Sequence, residues 1–588
     1  MRKLLLLFVL ILALTPMVFS QTLMDYVDEQ RGDTLVIKDY WDMGEANNSL
    51  YFAMTLDTLN VPAGRVYMLK TNGYYPLLNN PSTLRATVIV GQPTTPIVQA
   101  DGSEFLPLVC GAVSGDQTNN GSMNVNHNLT MKNLNVTPTN PNGGFGWAFA
   151  NSGGDGVGMW LDNCLFERTR WVFLVGNNIG NEIYIKNSYF VNMVGQPCRR
   201  NGGVYDGWNW RNIMEVENTT HIHAQGSMYK LRANVFEKVR FNHNTFVNCA
   251  GYVILDLGYQ KDLATTNNIF VNSNVQPYSG LDYDTGEFDE DHLPLGLVNV
   301  KPLTDISDTL ASITQKIYFD KNVAYWAPEL LGNNIVGPLN DGMVNGVDTW
   351  VPQTIIMNSR SQTMFDDDAT YPLLTEGTTF DELPNFADPQ DLLTTQMQAV
   401  KTFSIATSDT ASTAVMADWR LTSLGAENML FCDWPIPVDL SYDNADLLTA
   451  GLGGFPVGDL NWFPTQKAAW DAQRDAEYAA IQQVLDTGVM TAVENETNVP
   501  VEFALAQNYP NPFNPSTSIQ FSLTKSSNVT LKVYDAIGQE VATLVDGFKS
   551  GNQSYNVEFN GANLASGVYF YTLRAGDYSV TKKMLLMK

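Results

Sequence analysis

Between Leu129 and Trp326 apolar and polar residues alternate with a period of two, broken at intervals by an asparagine-centred turn and resumed on an aromatic residue. The phrase reads Leu161-Asp-Asn-Cys-Leu-Phe166, Ile185-Lys-Asn-Ser-Tyr-Phe-Val-Asn192, Phe241-Asn-His-Asn-Thr-Phe-Val-Asn248 and Thr265-Thr-Asn-Asn-Ile-Phe-Val-Asn272. Aligned on the aromatic slot, Phe166, Phe190, Phe246 and Phe270 stand 24, 56 and 24 residues apart, and the 56 divides into 31 and 25 if His221 fills the slot. Weaker copies place Val136 and Ala324 in the same column. A period in the twenties built from short strands and polar turns is a solenoid signature, and a spacing of two excludes a helical solenoid. It predicts an all-β passenger, a right-handed parallel β-helix whose coils stack about 4.8 Å apart.

The turn asparagine has a reason to recur. It tolerates left-handed backbone angles, and its amide can bond neighbouring main chain. Stacked coil on coil, Asn163, Asn187, Asn218 and Asn267 are expected to form an amide ladder. The same register points two columns outward. One holds Lys132, Asp162, Lys186, Glu217, Asn242, Thr266 and Asp320; the other holds Thr130, Trp160, Tyr184, Glu215, Arg240, Ala264 and Tyr318. The first alternates in sign over its early members, which favours one register although each exposed pair contributes only about 0.2–1 kcal/mol.

The remaining pattern divides the chain. Residues 21–128 read as an N-terminal cap and first coils, with strands at Thr34–Ile37, Arg65–Lys70 and Ala86–Gly91. Residues 129–462 form the β-helix with loop insertions. Within 463–487, Thr465–Leu485 is helical, with Trp470, Ile481, Val484 and Leu485 apolar and Gly488 as a stop, and is expected to cap the open last coil. A polar linker, 488–502, leads to residues 503–588. There, alternation at Ile519–Leu523, Val529–Tyr534, Tyr555–Phe559 and Gly567–Tyr571 predicts a small immunoglobulin-like β-sandwich.

Residues 1–20 carry Arg2 and Lys3, then an apolar run from Leu4 to Leu14 too short to span a bilayer, then Val18-Phe-Ser20. That is a secretory signal peptide, and no later stretch reads as a transmembrane segment. A net charge of -27 offers no basic stripe and excludes nucleic acid as a partner. Cys110, Cys164, Cys198, Cys249 and Cys432 lack metal-type spacing and read mostly as buried apolar residues, with a Cys164–Cys198 disulfide allowed after export.

Two loops carry candidate chemistry. The coil between Phe190 and His221 is seven residues longer than its 24-residue neighbours, and the excess holds Arg199, Arg200, Tyr205, Trp208, Trp210 and Arg211. From Asp162 to Arg211, six Lys/Arg face four Asp/Glu, a local balance of +2. Aromatic faces stack on sugar rings and guanidinium forks take carboxylates, so this loop, with Trp160 and Tyr184, is a candidate glycan surface. The competing reading folds the loop back with its tryptophans buried, as tryptophans usually are. The second loop, Asp282-Tyr-Asp-Thr-Gly-Glu-Phe-Asp289, resembles a shortened calcium loop, making Asp282, Asp284 and Asp289 candidate ligands and calcium the only cofactor suggested. It lacks a third ligand before the glycine, which favours a solvated acidic loop.

Three parts of the chain resemble known families. Gly64–Tyr75 with Thr87–Gln92 resembles the opening of pectate-lyase-like β-helix proteins, and Trp434–Tyr442 through Gly458–Trp462 is similar to the closing segment of exported β-helix proteins of the Bacteroidota and relatives. The third is the most specific. Asn508-Tyr-Pro-Asn-Pro-Phe-Asn-Pro-Ser-Thr517, Val533–Val545, Leu564–Tyr571 and the basic-apolar ending Thr581-Lys-Lys-Met-Leu-Leu-Met-Lys588 resemble the type A sorting domain of type IX secretion. Within it Asn508, Pro510, Asn511, Pro512, Gly538, Gly567, Tyr569, Lys582 and Lys583 carry the motif. The resemblance implies the type IX machinery as a partner and delivery across the outer membrane to the cell surface or beyond. For the passenger it leaves two expectations, a non-catalytic polysaccharide-binding or adhesive surface protein and a calcium-assisted polysaccharide lyase. A lyase needs a Lys or Arg base, and Lys186 and Arg240 project outward. A polygalacturonase-like hydrolase needs clustered Asp on neighbouring coils, which the register does not supply.

Overall fold

Each copy of the repeat folds as two strands joined at its asparagine. Gly158–Asp162 bends through Asn163 into Leu165–Glu167, and a third strand, Val172–Gly176, precedes the next copy at Glu182–Lys186. The structure is a computed structural model and describes residues 21–43, 48–57, 65–78, 80–92, 106–111, 122–139, 146–169, 171–193, 201–207, 209, 212–232, 235–275, 293–303, 313–330, 354–387, 390–406, 436, 438–490, 504–505, 507–508, 510–523, 527–549, 553–576 and 578–588. Residues 1–20, expected to be a signal peptide, and most of the expected linker 488–502 lie outside these. The chain divides into two units, Met1–Met490 and Thr491–Lys588.

The first unit holds three sheets, of twelve, ten and six strands; from Met123 to Asp256 successive strands visit all three in rotation, and apart from the antiparallel pair Val27–Arg31 and Thr34–Ile37 each strand pairs in parallel with its counterpart in the next repeat. Long parallel sheets are compatible with the expected winding. The aromatic slot is a single register row running Val136, Phe166, Phe190, His221, Phe246, Phe270 and Ala324. Its rings stack in file, with centroids 4.7, 5.1, 4.2 and 5.2 Å apart from Phe166 to Phe270. His221 fills the slot, its Nε2 2.8 Å from the Tyr229 hydroxyl.

The bend asparagines adopt the left-handed conformation expected of them, with φ of 51° at Asn163, 50° at Asn187, 47° at Asn218 and 58° at Asn267. They do not form the expected ladder. Asn163 donates to Asn133 at 2.9 Å, but Asn187 donates to Asp162, while Asn218 and Asn267 accept main-chain N–H groups from Leu460 and Leu452. The continuous amide file lies one residue further on. Asn244 donates to Asn268 at 2.9 Å, and Asn268 to Asn322 at 3.0 Å. Leu134 and Cys164 hold the equivalent position in earlier coils and belong to the main core, so this position faces inward. There an unsatisfied amide is costly and a ladder is stabilising. A second left-handed bend falls two residues after the ring slot, at Arg168, Asn192, His223, Asn248 and Asn272, and explains the final asparagine of the repeated Phe-Val-Asn.

Both outward columns follow the expected register. Lys132 and Asp162 form an ion pair at 3.0 Å, whereas Glu217 pairs with Arg474 at 2.6 Å. The partner of Glu217 belongs to the helix Pro464–Thr487, which ends on Gly488 at φ 68° and buries Trp470, Glu477, Ile481, Val484 and Leu485. Its position corrects the expected cap. Ile481, Val484 and Leu485 pack on Ala264 and Tyr318, so the helix runs along the side of the first sheet and covers its outward face. Arg240, expected to project into solvent, is 2% exposed, 2.5 Å from Asp262 and hydrogen-bonded to Gln482 of the helix. The preceding segment covers the second sheet, packing Val438, Leu440, Tyr442, Leu447 and Phe463 on Tyr189, Val191, Ile222 and Val247. Cys110, Cys164 and Cys249 are buried free thiols, and Cys198, the partner allowed for Cys164, lies outside the described residues.

The second unit is two antiparallel sheets of three and four strands over a core that includes Phe513, Ile519, Leu531, Tyr571 and Leu586. The four expected strands are present as Ser516–Leu523, Ser527–Tyr534, Gln553–Asn560 and Gly567–Ala575, and Glu540–Lys549 and Tyr578–Leu586 join them.

Candidate functional surfaces

The helix leaves the upstream part of the first sheet uncovered. Thr130, Trp160 and Tyr184 stand there in one row, all partly exposed. Trp160 is laid back along its strand, and a Cβ at Gly158 would sit 2.0 Å from the indole. Glycine is therefore the residue that lets the ring lie against the sheet. Tyr184 lies alongside, its ring plane within 5° of the indole and its centroid 5.7 Å away, with its hydroxyl donating to Glu182 at 3.3 Å. Partial burial, with the Glu182 and Glu215 carboxylates nearby, pushes the phenol up to about 12, so it stays a neutral donor. Lys132, Asp162 and the exposed Lys186 line one side, and Glu215 ion-paired to Lys238 follows on the next coils.

The expected glycan loop divides. Arg199, Arg200, Trp208, Trp210 and Arg211 lie outside the described residues, as do Asp282, Asp284 and Asp289. Tyr205 is fully buried, hydrogen-bonded by Asn212, and its ring packs edge-on against Phe236. That corrects its place among the exposed candidates: every residue of Gly203–Gly207 is buried, so alternation gives no outward side. Asp206, its neighbour, takes a two-pronged ion pair from Arg232 at 2.8 and 2.6 Å and the Trp171 indole N–H at 3.1 Å.

Sequence reading missed Trp147 and Trp171. They occupy the same position one coil apart, the N–H of Trp171 donating to the carbonyl of Trp147 at 3.0 Å, and Trp147 is 46% exposed. Their 24-residue separation repeats the spacing of Phe166 and Phe190, and a search of the third strand at that period would have found them. Also unforeseen is Asp256, whose carboxyl burial pushes up to about 7. Among the described residues no group of three or more His, Cys, Asp or Glu could hold a metal ion.

In the second unit the motif residues close the sandwich. Asn508 is buried, its N–H donating to the Tyr571 hydroxyl at 2.8 Å and its amide to the Pro510 carbonyl and Thr517 Oγ1. Asn511 Oδ1 accepts the Leu585 N–H at 2.9 Å, and Pro512 leads into Phe513, a buried core residue. Gly538, at φ 84°, completes a turn whose N–H groups at Ile537 and Gln539 bond Asp535 Oδ1. Gly567 opens its strand, and the Tyr569 hydroxyl bonds the Ala565 carbonyl at 2.8 Å. Lys582 and Lys583 sit on the last strand, Lys583 exposed.

Residues 507–587 match the family described as the secretion system C-terminal sorting domain. This confirms the type IX sorting domain read from the motifs, implies engagement with the type IX secretion machinery, and marks export across the outer membrane to the cell surface or the extracellular space. No curated protein and no solved structure matches the chain. Among the described residues no helix is long and apolar enough to cross a membrane.

Proposed function

We propose that the cargo delivered by this sorting domain is a right-handed parallel β-helix that binds polysaccharide without cleaving it. In this reading residues 1–20 are the signal peptide, residues 21–487 the passenger and residues 488–502 a linker. The observation that carries it is the Trp160–Tyr184 pair, two parallel aromatic rings kept half open to solvent on a rigid sheet. The two stacked rings leave their outer edges and an outer face as an apolar surface for a sugar ring, and the adjacent charges and the tyrosine hydroxyl offer hydrogen bonds. Both side chains sit on strands whose neighbours are paired on each side, so little ordering is needed on binding. The lyase alternative loses a candidate base, because Arg240 lies beneath the helix and cannot approach a chain outside.

The test is retention of the mature chain on immobilised β-glucan, xylan and pectate. Retention on at least one gel is expected, with at least a tenfold loss in the Trp160→Ala/Tyr184→Ala double variant. Retention unchanged by that variant removes the platform. Growth of ultraviolet absorbance from unsaturated sugar ends, with pectate or alginate and calcium, would replace binding by lyase chemistry.

A further inference from the structure

We propose that the last strand of the sorting domain, Tyr578–Leu586, is a covered edge that the secretion machinery engages by adding a strand to it, after residues 507–513 are displaced. The four-stranded sheet runs Glu540–Lys549, Ser527–Tyr534, Gly567–Ala575, Tyr578–Leu586, so its edges are the first and last of these. An unguarded edge is a template for pairing with another chain, and natural sheets defend theirs.

The two edges are defended differently. Glu540–Lys549 carries two register irregularities in its pairing with Ser527–Tyr534, and Glu540, Asp546 and Lys549 along its length. Bulges and charges are built into a strand and cannot be withdrawn. Tyr578–Leu586 pairs with Gly567–Ala575 without any shift, and its outward main-chain groups are met instead by a separate segment. The Lys583 carbonyl accepts from the Gln507 side chain at 2.8 Å, and the Leu585 N–H donates to Asn511 Oδ1 at 2.9 Å. The Leu585 carbonyl accepts from the Phe513 N–H at 2.9 Å, and the Met587 N–H donates to the Phe513 carbonyl at 3.0 Å.

Residues 583, 585 and 587 thus face outward, and the same parity turns the main chain of Ser579 and Thr581 outward beyond the reach of that segment. Among the described residues no hydrogen bond from that segment reaches the main chain of Ser579 or Thr581, while Ala504–Leu505 also lies against this strand. The residues matching the sorting family begin at the covering segment and end on the strand it covers, so the signal spans both parts. Lys582, Lys583 and Lys588 give this edge a positive charge on a chain of net -27, which suits a partner strand flanked by carboxylates. Displacing residues 507–513 would offer five alternate main-chain positions, enough for a stable added strand.

The test uses the full chain in cells that export it. A photo-crosslinking residue at Ser579 or Thr581 is expected to give an adduct with an outer-membrane component of the machinery, and one at Thr543 or Asp546 on the opposite edge is expected to give none. Thr581→Pro removes an outward N–H without breaking a ladder bond, and at least a tenfold fall in surface or medium protein is expected. Export of Thr581→Pro at the wild-type level overturns the proposal. So do adducts from the Glu540–Lys549 edge in place of those from Ser579 and Thr581, a readout that does not depend on the proline variant folding.

Discussion

The imidazole of His221 stacks on the ring of Phe246, centroids 4.2 Å apart and planes 16° from parallel. A histidine thus stands in a file of phenylalanines, fully buried, and burial holds its pKa down at about 3. The unfolded chain takes up a proton near pH 6.5 and the folded chain does not until about 3, so this residue's contribution to stability is complete above 6.5 and is lost as pH falls through that window. At pH 4.5 the loss is about 3 kcal/mol.

His221→Phe is therefore expected to cost about 1–3 kcal/mol at pH 7, where the Tyr229 hydroxyl loses its partner, and about 3 kcal/mol less at pH 4.5. All twelve tryptophans lie at or before Trp470, so their fluorescence in urea follows the first unit alone. An equal penalty at both pH values would show that the imidazole is charged in the fold. Asp256 and Asp459, pushed up by burial to about 7 and about 6, act in the opposite sense: their contribution is complete below about pH 4 and lost on raising pH through those values. Comparing variant with wild type at each pH cancels them.

The position of the amide file gives a sharper contrast. Asn268 donates to Asn322 and to the Phe241 carbonyl, and its Oδ1 accepts from Asn244, all in a fully buried setting. Asn268→Ala leaves those groups unpaired and is expected to cost about 2–4 kcal/mol. Asn163→Gly removes one half-exposed bond while easing a positive φ, so its effect is expected within about 1 kcal/mol. Equal costs by urea unfolding would return the ladder to the bend asparagine itself.

This contrast marks where the sequence was legible. A strictly local device, such as left-handed asparagine at a bend or a ring every coil, leaves a periodic trace, and both are readable in the sequence. Whether an amide at a bend faces its neighbour or the solvent depends on a one-residue difference in direction that the repeated Asn-Asn and Asn-His-Asn do not resolve. The helix Pro464–Thr487 was legible as an element, including its four apolar anchors, but its destination was not. Nothing local to Ile481 or Leu485 says that Ala264 and Tyr318 await them far upstream in the chain. For the same reason Arg240 read as outward, which its register makes it, and as exposed, which the helix prevents. Of the candidate glycan residues, Trp160 and Tyr184 take the outward places their register predicts, whereas Tyr205 is buried because its strand is buried on both faces.

Gly158 gives a test of the platform that leaves both rings in place. A β-carbon there would meet the Trp160 ring at 2.0 Å, a distance at which the indole must lift from the sheet. Gly158→Ala is expected to lower retention on the polysaccharide gel about tenfold while changing the unfolding free energy measured in urea by less than about 1 kcal/mol, since the displaced group is a partly exposed side chain. Full retention would mean that the lie of the indole is irrelevant to binding.

Glu477 decides how firmly the helix is held. Its Oε1 accepts from Asn242 at 2.8 Å and Asn267 at 3.3 Å, lies 3.3 Å from His243 Nε2, and its Oε2 accepts from the Trp470 indole at 3.0 Å. The Asn242 and Asn267 amides and the Trp470 indole all present N–H groups, and only an acceptor on both oxygens satisfies them. Glu477→Gln keeps the shape but turns one acceptor into a donor facing a donor, so the amide is expected to cost about 2–3 kcal/mol, close to Glu477→Ala. The loss falls on the contact between helix and sheet rather than on the sheets themselves, whose ladders are independent of residue 477. Limited proteolysis should therefore cut faster within Pro464–Thr487 in both variants, with the fragments from residues 122–330 unchanged. A glutamine variant as resistant as wild type would mean that packing of Ile481, Val484 and Leu485 alone holds the helix in place.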